Sequence, residues 1–229
     1  MKKYIPNTIT CLNLFSGCVA VLLLLERNYT GAFCCVLASG IFDFFDGLAA
    51  RWLRVHSVIG KELDSLADVV SFGLVPGVLM YTLLAQVSAN DYLPYLGFLI
   101  TVFSALRLAK FNVDERQTSD FIGVSTPMNT FLIVSLPFIA SQYPAVVYNV
   151  YVLVVLTVVS SLLLVAELRL FSMKLSSWGW GENRFIYSFL IISLLLVVFL
   201  QVLAVPLIFV LYLFFSRLHF SGRADKQVI

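Results

Sequence analysis

Charge is scarce in this chain. Asp, Glu, Lys and Arg make up 12% of its 229 residues, against 60% hydrophobic residues. That is too little charge to cover a soluble domain of this length, and the mean hydropathy of +0.95 points the same way. Histidine and cysteine are also rare, at two and four residues. Cys11, Cys18, Cys34 and Cys35 show no Cys/His ligand spacing, which excludes a zinc site of the usual kind. They read as small apolar packing residues. Acids are nearly missing from the second half: residues 121–229 hold only Glu167, Glu182 and Asp225, so no second aspartate-rich motif exists there. The net charge is +2, and no nucleic-acid partner is expected.

What is present is a series of apolar runs. They predict an all-α, polytopic helical bundle of about eight transmembrane helices, folded as one domain over residues 1–229. After a short basic lead (Lys2, Lys3), the first run spans Asn7 to Leu25. Asn7, Thr8, Thr10 and Asn13 interrupt it, which fits a spanning helix with one polar face better than a cleaved signal. Further runs cover about 31–52, 61–86, 93–111, 128–141 and 144–168. Gly73, Pro76 and Gly77 are expected to bend the third run, and Pro137 to kink the fifth. Polar stretches fall at 113–125, with Asp114, Glu115, Arg116 and Asp120, and at 169–184, where Trp178 and Trp180 suit an interfacial belt. The last run, Phe185 to Phe220, would be about 54 Å long as one helix, far more than a bilayer core of about 30 Å. A tight hairpin near Gln201 and Pro206 makes it two spans, added to a core of six.

The basic residues support that count. With the N-terminus in the cytoplasm and eight alternating spans, 14 of the 15 Lys and Arg residues face the cytoplasm, Arg27 being the exception. This satisfies the positive-inside rule, whereas seven spans would put Arg217, Arg223 and Lys226 outside. Both termini are then cytoplasmic, in an inner-membrane protein.

Four carboxylates stand out against this background. Asp43, Asp46, Asp64 and Asp68 lie within 26 residues, near the cytoplasmic ends of the second and third runs. Carboxylates at membrane depth are functional by default. Asp43, Asp46 and Ala50 share one helical face, as do Asp64 and Asp68, and the eight residues between Arg51 and Gly60 allow the faces to meet. Four like charges would repel strongly without cations, and Mg²⁺-like ions prefer carboxylate oxygen. One or two divalent ions are expected. Gly47, Ala50 and Gly60 leave room for a ligand or for close backbone approach, and Arg51 can meet a phosphate.

The pattern Asp43-x-x-Asp46-Gly47-x-x-Ala50-Arg51-x8-Gly60-x-x-x-Asp64-x-x-x-Asp68 resembles the signature of the CDP-alcohol phosphotransferases, with every motif position filled. The resemblance implies attack of an alcohol on the lipid-side phosphorus of a CDP-linked donor, with release of CMP. It implies Mg²⁺ or Mn²⁺, most simply two ions, on Asp43, Asp46, Asp64 and Asp68, with Asp68 also the general base. Gly47, Ala50, Arg51 and Gly60, with Asn7 and Thr10, would bind the CDP donor. It also implies a homodimer.

Three further stretches resemble the serine-using members: Pro6 to Asn13, Arg107-Leu-Ala-Lys110-Phe-Asn112, and Phe121-x-Gly123-x-x-x-Pro127. They imply CDP-diacylglycerol and L-serine as substrates, with Arg107, Lys110 and Asn112 at the acceptor site. Lys110 and Ser125 depart from the Arg and Pro common at those places. Arg107 and Lys110 read equally well as anchors at the cytoplasmic end of their helix. Within the family, glycerol 3-phosphate or an inositol phosphate is the alternative acceptor, and a phosphorylated acceptor would want a denser basic pocket. Outside it, a transporter with a buried carboxylate site is the alternative, although no inverted repeat is evident.

The eight-span topology is testable with a C-terminal reporter that works only outside the cytoplasm. It should stay silent, and an active reporter would mean seven spans.

Overall fold

The computed structural model describes residues 4–55, 57–114, 121–171 and 180–224. The charged stretch expected at 115–120, Trp178 and Lys226 lie outside the described residues, as does the side chain of Trp180. The chain is a multi-pass helical membrane protein. Among the described residues, five helical stretches are long and apolar enough to cross a bilayer: Tyr4–Leu25, Tyr29–Leu53, Val58–Val87, Leu93–Val113 and Asn183–Phe220. Thr126–Ala140 and Val150–Val165 are shorter apolar units. The last long stretch divides at a 3-10 turn, Gln201–Leu203, where Gln201 has φ 48°. It becomes two packed helices, α10 (Trp180–Leu200) and α11 (Ala204–Ala224), which is the expected hairpin.

Small residues set the packing at the N-terminal end. Helix α1 (Tyr4–Leu25) buries Pro6, Thr10, Asn13, Gly17, Ala20 and Leu24, an alternating spacing of four and three. Lipid is as apolar as leucine, so close approach and interhelical hydrogen bonds must hold such helices together. The Asn13 carbonyl accepts from Ser39 at 3.2 Å and from Ser71 at 3.0 Å, tying α1 to two other helices. Gly17 permits this, because a Cβ there would lie 2.9 Å from the Cα of Ser71.

Helix α2 (Tyr29–Leu53) starts at Asn28, whose side chain accepts from the Gly31 amide, and ends at Arg54 in the left-handed conformation, φ 53°. Ser57 then caps α3 (Val58–Val69), accepting from the Gly60 amide at 3.3 Å. The chain therefore reverses between Arg51 and Gly60, as the spacing predicts.

The third span departs from a regular α-helix just before Pro76 and Gly77. It widens into a π-helical segment, Val70–Leu74, and continues as α4 (Val75–Val87). Pro76 has no amide to offer the Phe72 carbonyl four residues earlier. The Thr130 hydroxyl lies 2.8 Å from that carbonyl and 2.9 Å from the Thr126 carbonyl, so its one proton is shared between them, and Thr101 donates to the Gly73 carbonyl at 3.0 Å. Neighbouring helices thus place hydroxyl donors at these carbonyls.

A 3-10 turn (Leu93–Gly97) leads into α5 (Phe98–Val113). The fifth unit is α6 (Thr126–Val134) and α7 (Leu136–Ala140), broken at Ser135 before Pro137 as expected. A short α8 (Pro144–Val147) precedes α9 (Val150–Val165). A two-residue antiparallel ladder pairs β1 (Phe121–Ile122) with β2 (Arg169–Leu170), which the sequence did not predict. Gly123 follows at φ +76°, a conformation that favours glycine.

The larger core gathers Leu24, Val36, Phe72, Met80, Leu84, Ile100 and Leu153. A second joins the hairpin to α6 and β2 through Leu132, Phe171, Phe189, Phe209 and Tyr212. Within it the Tyr212 hydroxyl donates to the Phe171 carbonyl at 2.9 Å. Of the cysteines, Cys35 packs against the larger core as expected, whereas Cys11, Cys18 and Cys34 are exposed, and all four are free. On those three exposed positions lipid accepts a thiol as readily as a protein core does.

A tight backbone crossing lies at Gly97, where a Cβ would sit 2.5 Å from the Tyr81 nitrogen and 2.8 Å from the Gly77 oxygen. Both neighbours are backbone and cannot rotate aside. Gly97→Ala is therefore expected to cost about 1–3 kcal/mol, the usual range for overpacking, and to lower the unfolding midpoint in detergent. An unchanged midpoint would show that α4 and the 3-10 turn can part without loss.

Candidate active site

Helix α2 carries Asp43 and α3 carries Asp64 and Asp68 one turn apart. One carboxylate oxygen from each of the three lies within 4.8 Å of the others. Asp43 and Asp64 approach within hydrogen-bonding reach. Two carboxylates that close need a proton or a cation between them. Asp64 Oδ1 is buried and has no partner among the described residues. An all-oxygen donor set with an orphaned buried oxygen fits a hard divalent cation.

Asp46 stands apart from this trio. It is 6% exposed, and its Oδ2 accepts from the Thr10 hydroxyl at 2.6 Å. Thr10 Oγ1 also lies 3.1 Å from the Pro6 carbonyl, but a hydroxyl has one proton and the shorter, charged contact takes it. Asp68 is held from α1 as well: Asn13 Nδ2 donates to its Oδ1 at 3.3 Å.

A polar pocket of about 240 Å³ opens beside the cluster. Asn7, Thr10, Asp46, Gly47, Ala50, Gly60, Lys61 and Asp64 are among its walls, so most of the residues expected to bind the donor do meet. The two glycines serve different ends. A Cβ at Gly47 would touch nothing within 4 Å, so its lack of bulk keeps space open. A Cβ at Gly60 would lie 3.1 Å from Asn7 Oδ1, so it lets α3 approach α1.

Arg51 is not part of that pocket. Its Nε donates to the Gly47 carbonyl at 3.0 Å, and its side chain borders a different space, an apolar groove of about 820 Å³. Phe44 and Phe131 line this groove from α2 and α6, and Phe189, Phe209 and Tyr212 from the hairpin. Arg51 is the only charged side chain among its described walls. Helix α2 thus borders both spaces, the polar pocket through Asp46, Gly47 and Ala50 and the apolar groove through Phe44 and Arg51.

The residues expected at an acceptor site separate. Arg107 is 8% exposed, and its Nη1 donates to Thr126 Oγ1 at 3.3 Å. Its guanidinium interacts electrostatically with Asp68 and lies 5.6 Å from the Phe111 ring centre. Lys110 is exposed. Asn112 is already engaged: its Nδ2 donates to Ser65 at 2.8 Å and its carbonyl accepts from Lys61 at 2.8 Å, which ties the end of α5 to α3. The sequence reading missed Thr126 and Asn129 of α6, both fully buried. Polar residues in a short apolar helix were the available signal.

The family model described as CDP-alcohol phosphatidyltransferase matches residues 3–166. A Bacillus subtilis protein named CDP-diacylglycerol–serine O-phosphatidyltransferase is 35% identical over 171 residues, covering 73% of this chain and 89% of that protein. A Helicobacter pylori protein of the same name is 31% identical over 204 residues, covering 87% and 84%. An archaetidylserine synthase of Methanothermobacter thermautotrophicus is 34% identical over 127 residues, covering 54% and 53%.

The carboxylate trio makes a direct prediction. Purified protein should bind Mn²⁺, seen as loss of the free-ion signal in electron paramagnetic resonance. Asp43→Asn or Asp64→Asn should weaken binding at least about tenfold, the lower end of what even an outer-shell change costs a metal site. Undiminished binding in both variants would mean that the trio is not the metal site.

Proposed function

Because this chain belongs to the CDP-alcohol phosphatidyltransferase family, we propose that it transfers the phosphatidyl group of CDP-diacylglycerol to the hydroxyl of L-serine, releasing CMP. One observation carries the reading: beside the carboxylate trio, α2 walls a polar pocket with Asp46, Gly47 and Ala50 and an apolar groove with Phe44 and Arg51. A donor with a nucleotide at one end and acyl chains at the other needs both, with its diphosphate between them.

Asn7, Thr10, Gly47, Ala50 and Gly60 hold the nucleotide end. Arg51 meets the lipid-side phosphate at the edge of the groove, and an acyl chain follows the groove between α2, α6 and the hairpin. Asp43, Asp46, Asp64 and Asp68 would hold one or two divalent cations, Mg²⁺ or Mn²⁺. When bound, these neutralise the diphosphate and stabilise the charge that develops on departing CMP. Arg107 binds the serine carboxylate by a charge-assisted hydrogen bond and brings the hydroxyl towards Asp68. Asp68 takes the hydroxyl proton as the serine oxygen bonds to the lipid-side phosphorus and the bond to CMP breaks. Asn13 fixes Asp68 Oδ1 from behind, which keeps the carboxylate oriented for that step. Lys110 and Asn112 act at one remove, since one is exposed and the other braces α3.

Arg107 is the only Lys or Arg buried among the described residues. One buried cation suits the single negative charge of a carboxylate better than a phosphorylated acceptor. The chain works as one domain in the inner membrane, with both termini and the site at the cytoplasmic face. The distribution of Lys and Arg supports that orientation. It is a homodimer, a reading that rests on the family resemblance.

The test is CMP release by purified protein from CDP-diacylglycerol and Mn²⁺, with serine, glycerol 3-phosphate or no acceptor. Serine-dependent release is expected. Release with glycerol 3-phosphate alone would change the acceptor, and none with any acceptor would favour a non-enzymatic role. The base is tested separately. Asp68→Asn should keep donor affinity while turnover falls about 10²–10⁴-fold, the usual contribution of a general base. Near-normal turnover would remove Asp68 from that role.

A further inference from the structure

Asn129 has no exposed surface, and neither its amide nitrogen nor its amide oxygen has a partner among the described residues. Burial strips water from a donor and an acceptor together, and an unpaired buried amide is strongly disfavoured. Such a side chain in a membrane helix is expected to serve a ligand.

Its place in the fold identifies the ligand. Thr126, Asn129 and Thr130 share one face of α6, at helical spacings of three and four. Thr126 accepts from Arg107, and Thr130 donates to the carbonyl of Phe72, one turn beyond Asp68. Asn129 therefore sits between contacts to α5 and to the π segment that follows Asp68. Arg107 Nε is buried and unpartnered as well, and so is Ser104 Oγ, one turn earlier on α5. These groups offer N–H donors from Arg107 and Asn129 and accepting oxygens from Asn129 and Ser104. A carboxylate takes the donors and an ammonium takes the acceptors, so the set complements a small zwitterion.

We infer that Asn129 is the residue that selects an amino acid as acceptor, its Oδ1 accepting a hydrogen bond from the α-ammonium while Arg107 holds the carboxylate. The inference rests on the serine-transfer reading above and assigns a determinant of that specificity. A polar site left unpaired by the wrong substrate discriminates far better than an apolar one, so an alcohol without the ammonium should be a poor acceptor.

The test uses full-length Asn129→Leu, with Asn129→Ala in its place should the leucine variant not be obtained folded. The KM for serine should rise roughly 10–100-fold, the equivalent of one lost hydrogen bond to a charged group. The KM for CDP-diacylglycerol should stay unchanged. Inhibition by 3-hydroxypropanoate, which lacks the ammonium, should be the same in wild type and variant. The unfolding midpoint of Asn129→Leu should hold or rise, because the substitution removes an unpaired polar group from the interior. A lower midpoint with an unmoved serine KM would make Asn129 structural and overturn the inference. Equal loss of serine and 3-hydroxypropanoate binding would overturn the ammonium contact. If wild type releases no CMP with serine, the function reading itself fails; if it does and the variant's serine KM is normal, only the role of Asn129 falls.

Discussion

Four carboxylates set inside apolar helices impose the constraint that the rest of this structure answers. Charge in a membrane interior is expensive unless paired, hydrogen-bonded or opposed by a cation. Each aspartate has an answer of its own. Asp46 leans on the Thr10 hydroxyl, Asp68 is met by Asn13 and faces Arg107, and Asp43 and Asp64 meet each other. The polar face of α1 is thus the supporting wall of the acidic cluster. The small residues of α1 and the π segment bring that wall close enough to work.

Much of this was legible in the sequence because the acids obey helical spacing. Three- and four-residue intervals place Asp43 with Asp46 and Asp64 with Asp68, and the linker length allows a reversal. The hairpin at Gln201 was legible from length alone, since no single helix of that size fits a bilayer. The sequence could not show that Asp46 turns towards Thr10 while Asp43 turns towards Asp64, because residues on one helical face still point along different radii. Nor did it separate Arg51 from the polar pocket. One residue beyond Ala50 turns the side chain about 100° around the helix, onto the apolar side.

The acceptor side was harder to read for a different reason. Arg107, Lys110 and Asn112 are close in the chain but lie on different faces of α5, so only Arg107 turns towards Asp68. Thr126 and Asn129 join it from a helix that carries no acid and whose one motif position is Pro127. Their partnership depends on how α6 lies across the third span, which is tertiary information. The same is true of the ladder between Phe121–Ile122 and Arg169–Leu170, two pairs of residues too short to leave a periodic signal.

The Thr130 hydroxyl on the Phe72 carbonyl bears on how the protein is made. Helices enter a bilayer one after another and associate afterwards. When the span bearing Pro76 is in place, the carbonyl that Pro76 cannot satisfy faces lipid or a passing water until α6 has been synthesised and docks. That unsatisfied group rewards one arrival and one depth of insertion, because only a hydroxyl at the right height relieves it. The order of biogenesis is thereby coupled to the geometry of the finished enzyme: the α6 docking that relieves Phe72 also carries Thr126 to Arg107.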